Sequence, residues 1–203
     1  MILPYFLDSD DSRHVRRRPS SGGLKPIVLI GMHGSGKTTV GRILAQKLQR
    51  ALYETDFMLS KRYFSNIQEL MIKLGVTFFR RSEAWVLRHA MSNYENPVVT
   101  AGEGAVDRPD NVQFMRENGI TFLLRTPIDV LLARTGQNPL FLPRFGKVQN
   151  KRNEVEQIWK EREPLYKAAA HYIVDTGSLR PTEIADEIID LLAKKHPEEL
   201  PKR

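Results

Sequence analysis

The chain has 203 residues, which is enough for one compact domain, and its 41% hydrophobic and 27% charged residues are ordinary for a globular protein. It has no cysteine, which excludes disulfides, iron–sulfur clusters and cysteine nucleophiles, and no apolar run approaches the ~20 residues that span a bilayer. The net charge of +7 permits an anionic partner, but basic and acidic residues are interleaved, so we expect neither a membrane nor a nucleic-acid partner.

Residues 1–24 are predicted to form a flexible arm. They mix proline, serine and glycine with dense charge and show no sustained period. The apolar opening, Met1 to Leu7, is too short for the core of a signal peptide and is followed by aspartates. We therefore expect one domain over residues 25–203, located in the cytoplasm, because a chain without cysteine fits a reducing compartment.

From Lys25 onward, hydrophobic periodicity predicts strands that alternate with helices. The predicted strands are residues 26–31, 53–56, 97–100, 120–124 and 172–174. The predicted helices are residues 38–50, 59–74, 79–94, 128–134, 151–170 and 181–193. Such alternation is typical of an α/β fold, here a five-stranded parallel sheet flanked by helices on both faces.

A phosphate-binding motif follows the first predicted strand. Residues 31–38 read Gly-Met-His-Gly-Ser-Gly-Lys-Thr, which matches G-x-x-x-x-G-K-[ST] in full. Glycines let backbone N–H groups face phosphate oxygens, and the next helix adds the positive end of its dipole. We expect ATP with Mg²⁺, with Lys37 on the β- and γ-phosphates and the Thr38 hydroxyl on the metal. The residues predicted to bind the nucleotide here are Gly34, Ser35, Gly36, Lys37, Thr38 and Thr39.

Two further groups of charged residues are candidates for contacts with a second substrate. Glu54 and Asp56 end the second predicted strand, where alternate residues share a face. One carboxylate there could hold Mg²⁺ through water, and the other could orient an acceptor hydroxyl. Arg80 and Glu83 lie three apart in a predicted helix and also share a face. Solvated acids at a strand end and a weak surface ion pair are the alternative interpretations.

Together these motifs resemble those of the shikimate kinase family, a group of P-loop kinases with a nucleoside monophosphate kinase-like fold. The resemblance runs from about Ile27 to Ala193. The motifs that carry it are residues 31–42, 54–56, 79–83, 102–106, 162–166 and 174–176. The order and spacing of so many short motifs is more specific than any one of them.

The resemblance implies ATP-dependent phosphorylation of a hydroxyl of shikimate, giving shikimate 3-phosphate and ADP in the pathway to aromatic amino acids. It implies catalytic roles for Lys37 and Asp56, a metal site at Thr38 and Glu54, and a small carboxylated acceptor. We expect the chain to be a monomer. It places Arg134 near the adenine and makes residues 135–150 a lid over the nucleotide. The residues that it assigns to the acceptor are Asp56, Arg80, Glu83, Gly102, Gly104 and Arg162, with the two arginines clamping the carboxylate.

Three positions depart from the pattern of the family. Glu54 stands where the family usually has aspartate, which keeps the charge and lengthens the reach. Glu103 replaces the middle glycine of a triple glycine, and a carboxylate inside the pocket would repel an acidic substrate. We therefore expect Glu103 to point outward, to approach Mg²⁺ or to indicate another acceptor. Asn138 replaces an arginine of the lid, for which Arg144 could substitute.

These departures leave three alternatives open. Glu103 favours a kinase of the same fold with a different carboxylated acceptor. Asn138 favours a nucleotide-binding homologue without catalysis. The basic residues from Arg13 to Arg18 favour a nucleic-acid binder.

Overall fold

The structure, a computed structural model, describes residues 23–92, 94–135 and 151–201. Within these ranges the strands are β1 (Ile27–Ile30), β2 (Leu52–Glu54), β3 (Val98–Thr100), β4 (Ile120–Arg125) and β5 (Tyr172–Asp175). The helices are α1 (Lys37–Leu48), α2 (Thr55–Tyr63), α3 (Ile67–Ser92), α4 (Pro109–Asn118), α5 (Ile128–Thr135), α6 (Lys151–Ala169) and α7 (Pro181–Lys195). Most of the predicted arm and all of the predicted lid after Thr135, including Asn138 and Arg144, lie outside the described residues.

The strands of the described chain form one parallel sheet in the order β2-β3-β1-β4-β5. The central strand β1 is buried along its whole length, which explains why its sequence is continuously apolar rather than alternating. Its residues alternate between two cores. Val28 and Ile30 pack with residues of α3, α4 and α6, whereas Ile27 and Leu29 pack with residues of α1 and α7. The prediction of a five-stranded parallel sheet with helices on both faces is confirmed.

The second strand is shorter than predicted, and this changes the position of two candidate residues. β2 ends at Glu54 and α2 begins at Thr55, so the prediction of a strand over residues 53–56 is wrong. Glu54 and Asp56 therefore do not share a strand face. The backbone N–H of Gly102 donates a hydrogen bond to the Thr55 hydroxyl at 2.9 Å, which ties the start of α2 to the loop after β3.

Two helical segments also differ from the prediction. The predicted helices 59–74 and 79–94 appear as α2 and a longer α3, which is interrupted at Gly75 by a non-helical conformation with φ 77° and ψ 157°. Helix α4 was not predicted, because its inner face carries the polar Asn111 beside Met115. The Asn111 amide donates to the Ala105 carbonyl at 2.9 Å, so this polar residue is buried with its Nδ2 satisfied.

A buried ion pair ties the C-terminal turn Pro197–Glu199 to the start of β1. Glu199 Oε2 accepts a hydrogen bond from Arg50 Nη2 at 2.9 Å, and the two side chains are only 3% and 4% exposed. The Lys25 backbone N–H also donates to the Glu199 carboxylate at 2.9 Å. These contacts hold the chain entering the central strand against the end of the domain.

Replacing Glu199 with alanine is expected to lower the free energy of unfolding by about 3–5 kcal/mol, because the buried Arg50 loses its carboxylate. Chemical denaturation measures this change. The matched control is Asp186→Ala, which removes an ion pair with Lys47 whose side chains are 56% and 40% exposed. The control should lose less than about 1 kcal/mol. Equal losses in the two variants would contradict the prediction.

Candidate active site

The predicted site residues lie in segments that follow β1, β2, β3 and β4, whose carboxyl ends lie at one edge of the sheet because the strands are parallel. The chain passes from β1 to the edge strand β2, returns to β3 beside β1, and then crosses to β4 on the other side of β1, so the direction of the connections reverses beside β1. In open α/β sheets, ligands bind in the crevice at such a switch point. The topology therefore places the phosphate-binding motif beside the candidate acceptor residues.

The phosphate-binding loop has the backbone that its glycines predict. Gly34 and Gly36 have φ values of 81° and 93°, which favour glycine, and Gly36 is the N-cap of α1. Lys37 Nζ donates hydrogen bonds to the carbonyls of Gly31 at 2.8 Å and Met32 at 3.0 Å. These bonds hold the ammonium group against the loop, at the N-terminus of a helix where phosphate binding is favoured.

Arg134, predicted to lie near the adenine, contacts this loop at the end of α5. Its Nη1 donates to the Gly34 carbonyl at 3.4 Å and would lie 3.8 Å from a Cβ added at Gly36. The side chain is exposed, so its guanidinium group is accessible to a bound nucleotide. The structure therefore brings Arg134 to the phosphate-binding loop.

Two side chains with oxygen atoms that can bind a metal ion lie together at the start of α1 and the end of β2. The Thr38 hydroxyl donates a hydrogen bond to Glu54 Oε2 at 2.7 Å. Mg²⁺ prefers oxygen ligands and commonly keeps waters while binding one or two protein groups and substrate phosphates. A hydroxyl and a carboxylate beside a phosphate-binding loop fit this ion, and the extra methylene of Glu54 does not prevent the contact.

The acceptor side of the cleft is built around the loop after β3. A Cβ added at Gly102 would overlap Glu83 Oε1 and lie 2.7 Å from Asp56 Oδ1. A Cβ added at Gly104 would overlap the guanidinium group of Arg80. The two glycines are thus needed for close approach rather than for a positive φ, and they bring three candidate residues from α2 and α3 to one loop.

Both candidate arginines of the acceptor side are engaged by carboxylates. Arg80 Nη1 donates to Glu83 Oε2 at 2.8 Å. Arg162, which is 2% exposed, donates through Nε and Nη2 to Asp107 at 2.8 and 2.9 Å, and through Nη1 to Glu103. Arg80 Nη2 also lies 3.2 Å from Asp107 Oδ2. One carboxylate, that of Asp107, therefore bridges the two guanidinium groups.

Asp107 was not predicted from the sequence as a site residue. It ends the short 3₁₀ turn Ala105–Asp107 that follows the glycines of the β3 loop. Its place in a loop at the carboxyl edge of the sheet is the one signal that could have identified it. The partner, Arg162, is 55 residues away in sequence, so no local pattern relates the two.

Glu103 points into the site, so the first of the three alternatives for this residue, an outward orientation, is excluded. Its Oε2 accepts a hydrogen bond from the backbone N–H of His33 at 2.9 Å, and its Oε1 accepts one from Arg162. Burial alone would raise the pKa of Glu103, but the positive charges of Arg162 and Lys37 outweigh it and hold the pKa below the ordinary value. Glu103 is thus an ionised carboxylate compensated by the chain's own cations.

Comparison with known proteins identifies the family to which this arrangement belongs. The family model described as "Shikimate kinase" matches residues 33–193. The shikimate kinase of Syntrophus aciditrophicus is 31% identical over 185 residues, covering 86% of this chain and 94% of that protein. The shikimate kinase of Oleidesulfovibrio alaskensis is 37% identical, covering 84% and 98%. The chain belongs to the shikimate kinase family.

The fold agrees with this family. The solved structure of shikimate kinase from Acinetobacter baumannii in complex with shikimate superposes with a TM-score of 0.79 at 31% identity, covering 85% of this chain and 95% of that one. Shikimate kinases are phosphotransferases that use ATP and act on a hydroxyl group. No helix within the described parts of the chain is long and apolar enough to cross a bilayer.

Within this shikimate kinase fold, Glu83 makes the stability depend on pH. Burial raises the pKa of Glu83 to about 7, although Arg80 opposes the rise. Between its ordinary pKa near 4.5 and about 7, the folded protein binds a proton that the unfolded chain releases, so stability falls as pH increases. From pH 5 to 8 the wild type should lose about 2–3 kcal/mol relative to Glu83→Gln. Denaturant unfolding at both pH values measures this, and parallel pH profiles for the two proteins would contradict it.

Proposed function

We propose that this protein transfers the γ-phosphoryl group of ATP to a hydroxyl of shikimate, giving shikimate 3-phosphate and ADP. The observation that carries the proposal is the Asp107 carboxylate held between Arg80 and Arg162 at distances of 2.8 to 3.2 Å. Its position supports a clamp in which two guanidinium groups can grip one carboxylate, in the same cleft as a phosphate-binding loop. Planar guanidinium groups suit such bidentate contacts.

The roles of the residues follow from their positions. Lys37 and the N–H groups of the loop bind the phosphates and offset their charge. Thr38 and Glu54 would hold Mg²⁺, which supplies further neutralisation of the phosphate oxygens when it is bound. Asp56 orients the accepting hydroxyl and takes its proton. The reaction then depends mainly on alignment and charge stabilisation, as is general for phosphoryl transfer.

A different carboxylated acceptor is the second candidate, and the inward Glu103 is the observation that favours it. An additional carboxylate beside Arg162 makes the cleft more acidic than a clamp of two arginines alone. The candidate residues of the phosphate-binding loop serve either acceptor equally.

A coupled assay of ADP release with ATP, Mg²⁺ and a panel of hydroxy acids tests the proposal. Release that depends on shikimate, with a Michaelis constant in the micromolar to millimolar range, is the expected result. Faster turnover of another hydroxy acid would replace shikimate as the acceptor. Binding of ATP by calorimetry without ADP release for any acceptor would favour a homologue without catalysis and overturn the proposal.

The cellular setting stays a prediction. A cytoplasmic monomer without a nucleic-acid partner is expected, and the lack of cysteine supports a reducing compartment. Light scattering of the purified chain tests the monomer. Salt-dependent retention on DNA or RNA tests the alternative role of residues Arg13 to Arg18.

A further inference from the structure

We propose that Asp107 is a specificity-determining residue whose carboxylate occupies the acceptor clamp and must be displaced by the carboxylate of the acceptor. This inference rests on the proposed function, because it takes Arg80 and Arg162 as the groups that bind the acceptor. It adds that the chain carries its own competitor for that clamp. Acceptor binding is then an exchange of one carboxylate for another.

The first argument is how the donors of Arg162 are used. Its Nε and Nη2 donate side by side to the two oxygens of Asp107, which is the bidentate geometry that an acceptor carboxylate would use. Its remaining amino group, Nη1, donates to Glu103. Because the Arg162 side chain is 3% exposed, an acceptor cannot reach the bidentate edge while Asp107 holds it.

The second argument is that Arg80 is also engaged by carboxylates, although without a bidentate contact. Its Nη1 is paired with the buried Glu83, and its Nη2 faces Asp107. Each arginine thus has one carboxylate of its own, Glu103 or Glu83, and they share Asp107. The shared position is the one that a bridging acceptor would take, so Asp107 rather than Glu103 or Glu83 is the competitor.

The third argument is the balance of charge in the cleft. The guanidinium groups of Arg80 and Arg162 already contact the acidic side chains of Glu83, Glu103 and Asp107. A further carboxylate added without displacing Asp107 would increase the repulsion. When it is displaced, the Asp107 side chain can turn into solvent, because it is already 17% exposed at the end of a short turn.

The test is the Michaelis constant for shikimate in Asp107→Asn, which keeps the size of the side chain and removes its charge. We expect the constant to fall about tenfold or more, with kcat within about threefold and the Michaelis constant for ATP unchanged. The matched control is Asp110→Asn, an exposed carboxylate of the next helix that pairs with Arg88 and Arg108 and should leave all three constants unchanged. If Asp107 only positions the two arginines, the Michaelis constant of Asp107→Asn will rise instead, and the inference is wrong.

A neutral analogue, in which a hydroxymethyl group replaces the carboxylate of shikimate, separates competition from a general loosening of the cleft. Its affinity, measured by calorimetry, should be the same for the wild type and Asp107→Asn. An equal gain for shikimate and the neutral analogue would overturn the inference. If the proposed function is wrong, neither the wild type nor Asp107→Asn will bind shikimate, although both bind ATP. That result differs from the two above, and the inference would then fail together with the proposed function.

Discussion

Replacing Asp56 with asparagine is expected to lower kcat for shikimate by about 10²–10⁴-fold, the usual contribution of a positioned general base. Asp56 lies in the first turn of α2, beside Gly102 and in the field of Lys37. An amide cannot accept the proton of the attacking hydroxyl, although it can still form a hydrogen bond with it. The Michaelis constant for ATP should therefore change little, and steady-state kinetics with each substrate varied in turn measures both effects.

The control for Asp56 is the neighbouring carboxylate, Glu54. Its partner is the Thr38 hydroxyl, so Glu54→Gln should raise the Mg²⁺ concentration needed for half-maximal activity, which Asp56→Asn should leave unchanged. This difference separates a metal role from an acceptor role. Retention of kcat within tenfold in Asp56→Asn would contradict the assignment of the base.

Replacing Arg80 with alanine is expected to raise the Michaelis constant for shikimate by about 30-fold to 1,000-fold, the equivalent of about 2–4 kcal/mol for a truncated charged contact. The variant removes one of the two guanidinium groups around Asp107 and leaves the phosphate-binding loop intact. The Michaelis constant for ATP should stay within about threefold of the wild-type value. The ADP-release assay measures both constants.

Arg81 provides the matched control for Arg80. It is the next residue of α3, carries the same charge and is exposed, whereas Arg80 is paired with the buried Glu83. Arg81→Ala should therefore leave both constants near those of the wild type. A similar loss for ATP and shikimate in Arg80→Ala would show that Arg80 does not belong to the acceptor clamp.

The fold was predictable where the sequence carries a continuous apolar run, a complete motif or a clear helical period. The continuous apolar run of β1 and the glycine-rich motif after it determine a buried parallel strand and a phosphate-binding loop. The start of α2 was not predictable in this way, since β2 has three residues and a strand of that length has no measurable period. The boundary between β2 and α2 is fixed by the hydrogen bond between Thr55 and Gly102, which are 47 residues apart. Helix α4 was missed because the buried Asn111 interrupts its apolar pattern, and the hydrogen bond from the Asn111 Nδ2 to the Ala105 carbonyl becomes visible only in the fold.

The site was predictable for the residues that belong to contiguous motifs. The nucleotide side lies almost wholly in residues 31–39, and its geometry follows from local glycine conformations. The acceptor side depends on ion pairs between elements that are far apart in sequence. The orientation of Glu103 could not be decided from the sequence, because Arg162 and Lys37, which compensate the charge of its carboxylate, lie far from it along the chain. Asp107 was missed for the same reason, since its importance depends on arginines from α3 and α6.

The two hydrogen bonds of Glu103 connect the phosphate-binding loop to the two arginines proposed to bind the acceptor. One carboxylate oxygen accepts from the backbone N–H of His33, within that loop, and the other accepts from Arg162. A ligand that moves either partner acts on the other through this side chain. Thermodynamic linkage then requires reciprocity: the factor by which ATP changes the affinity for shikimate is the factor by which shikimate changes the affinity for ATP.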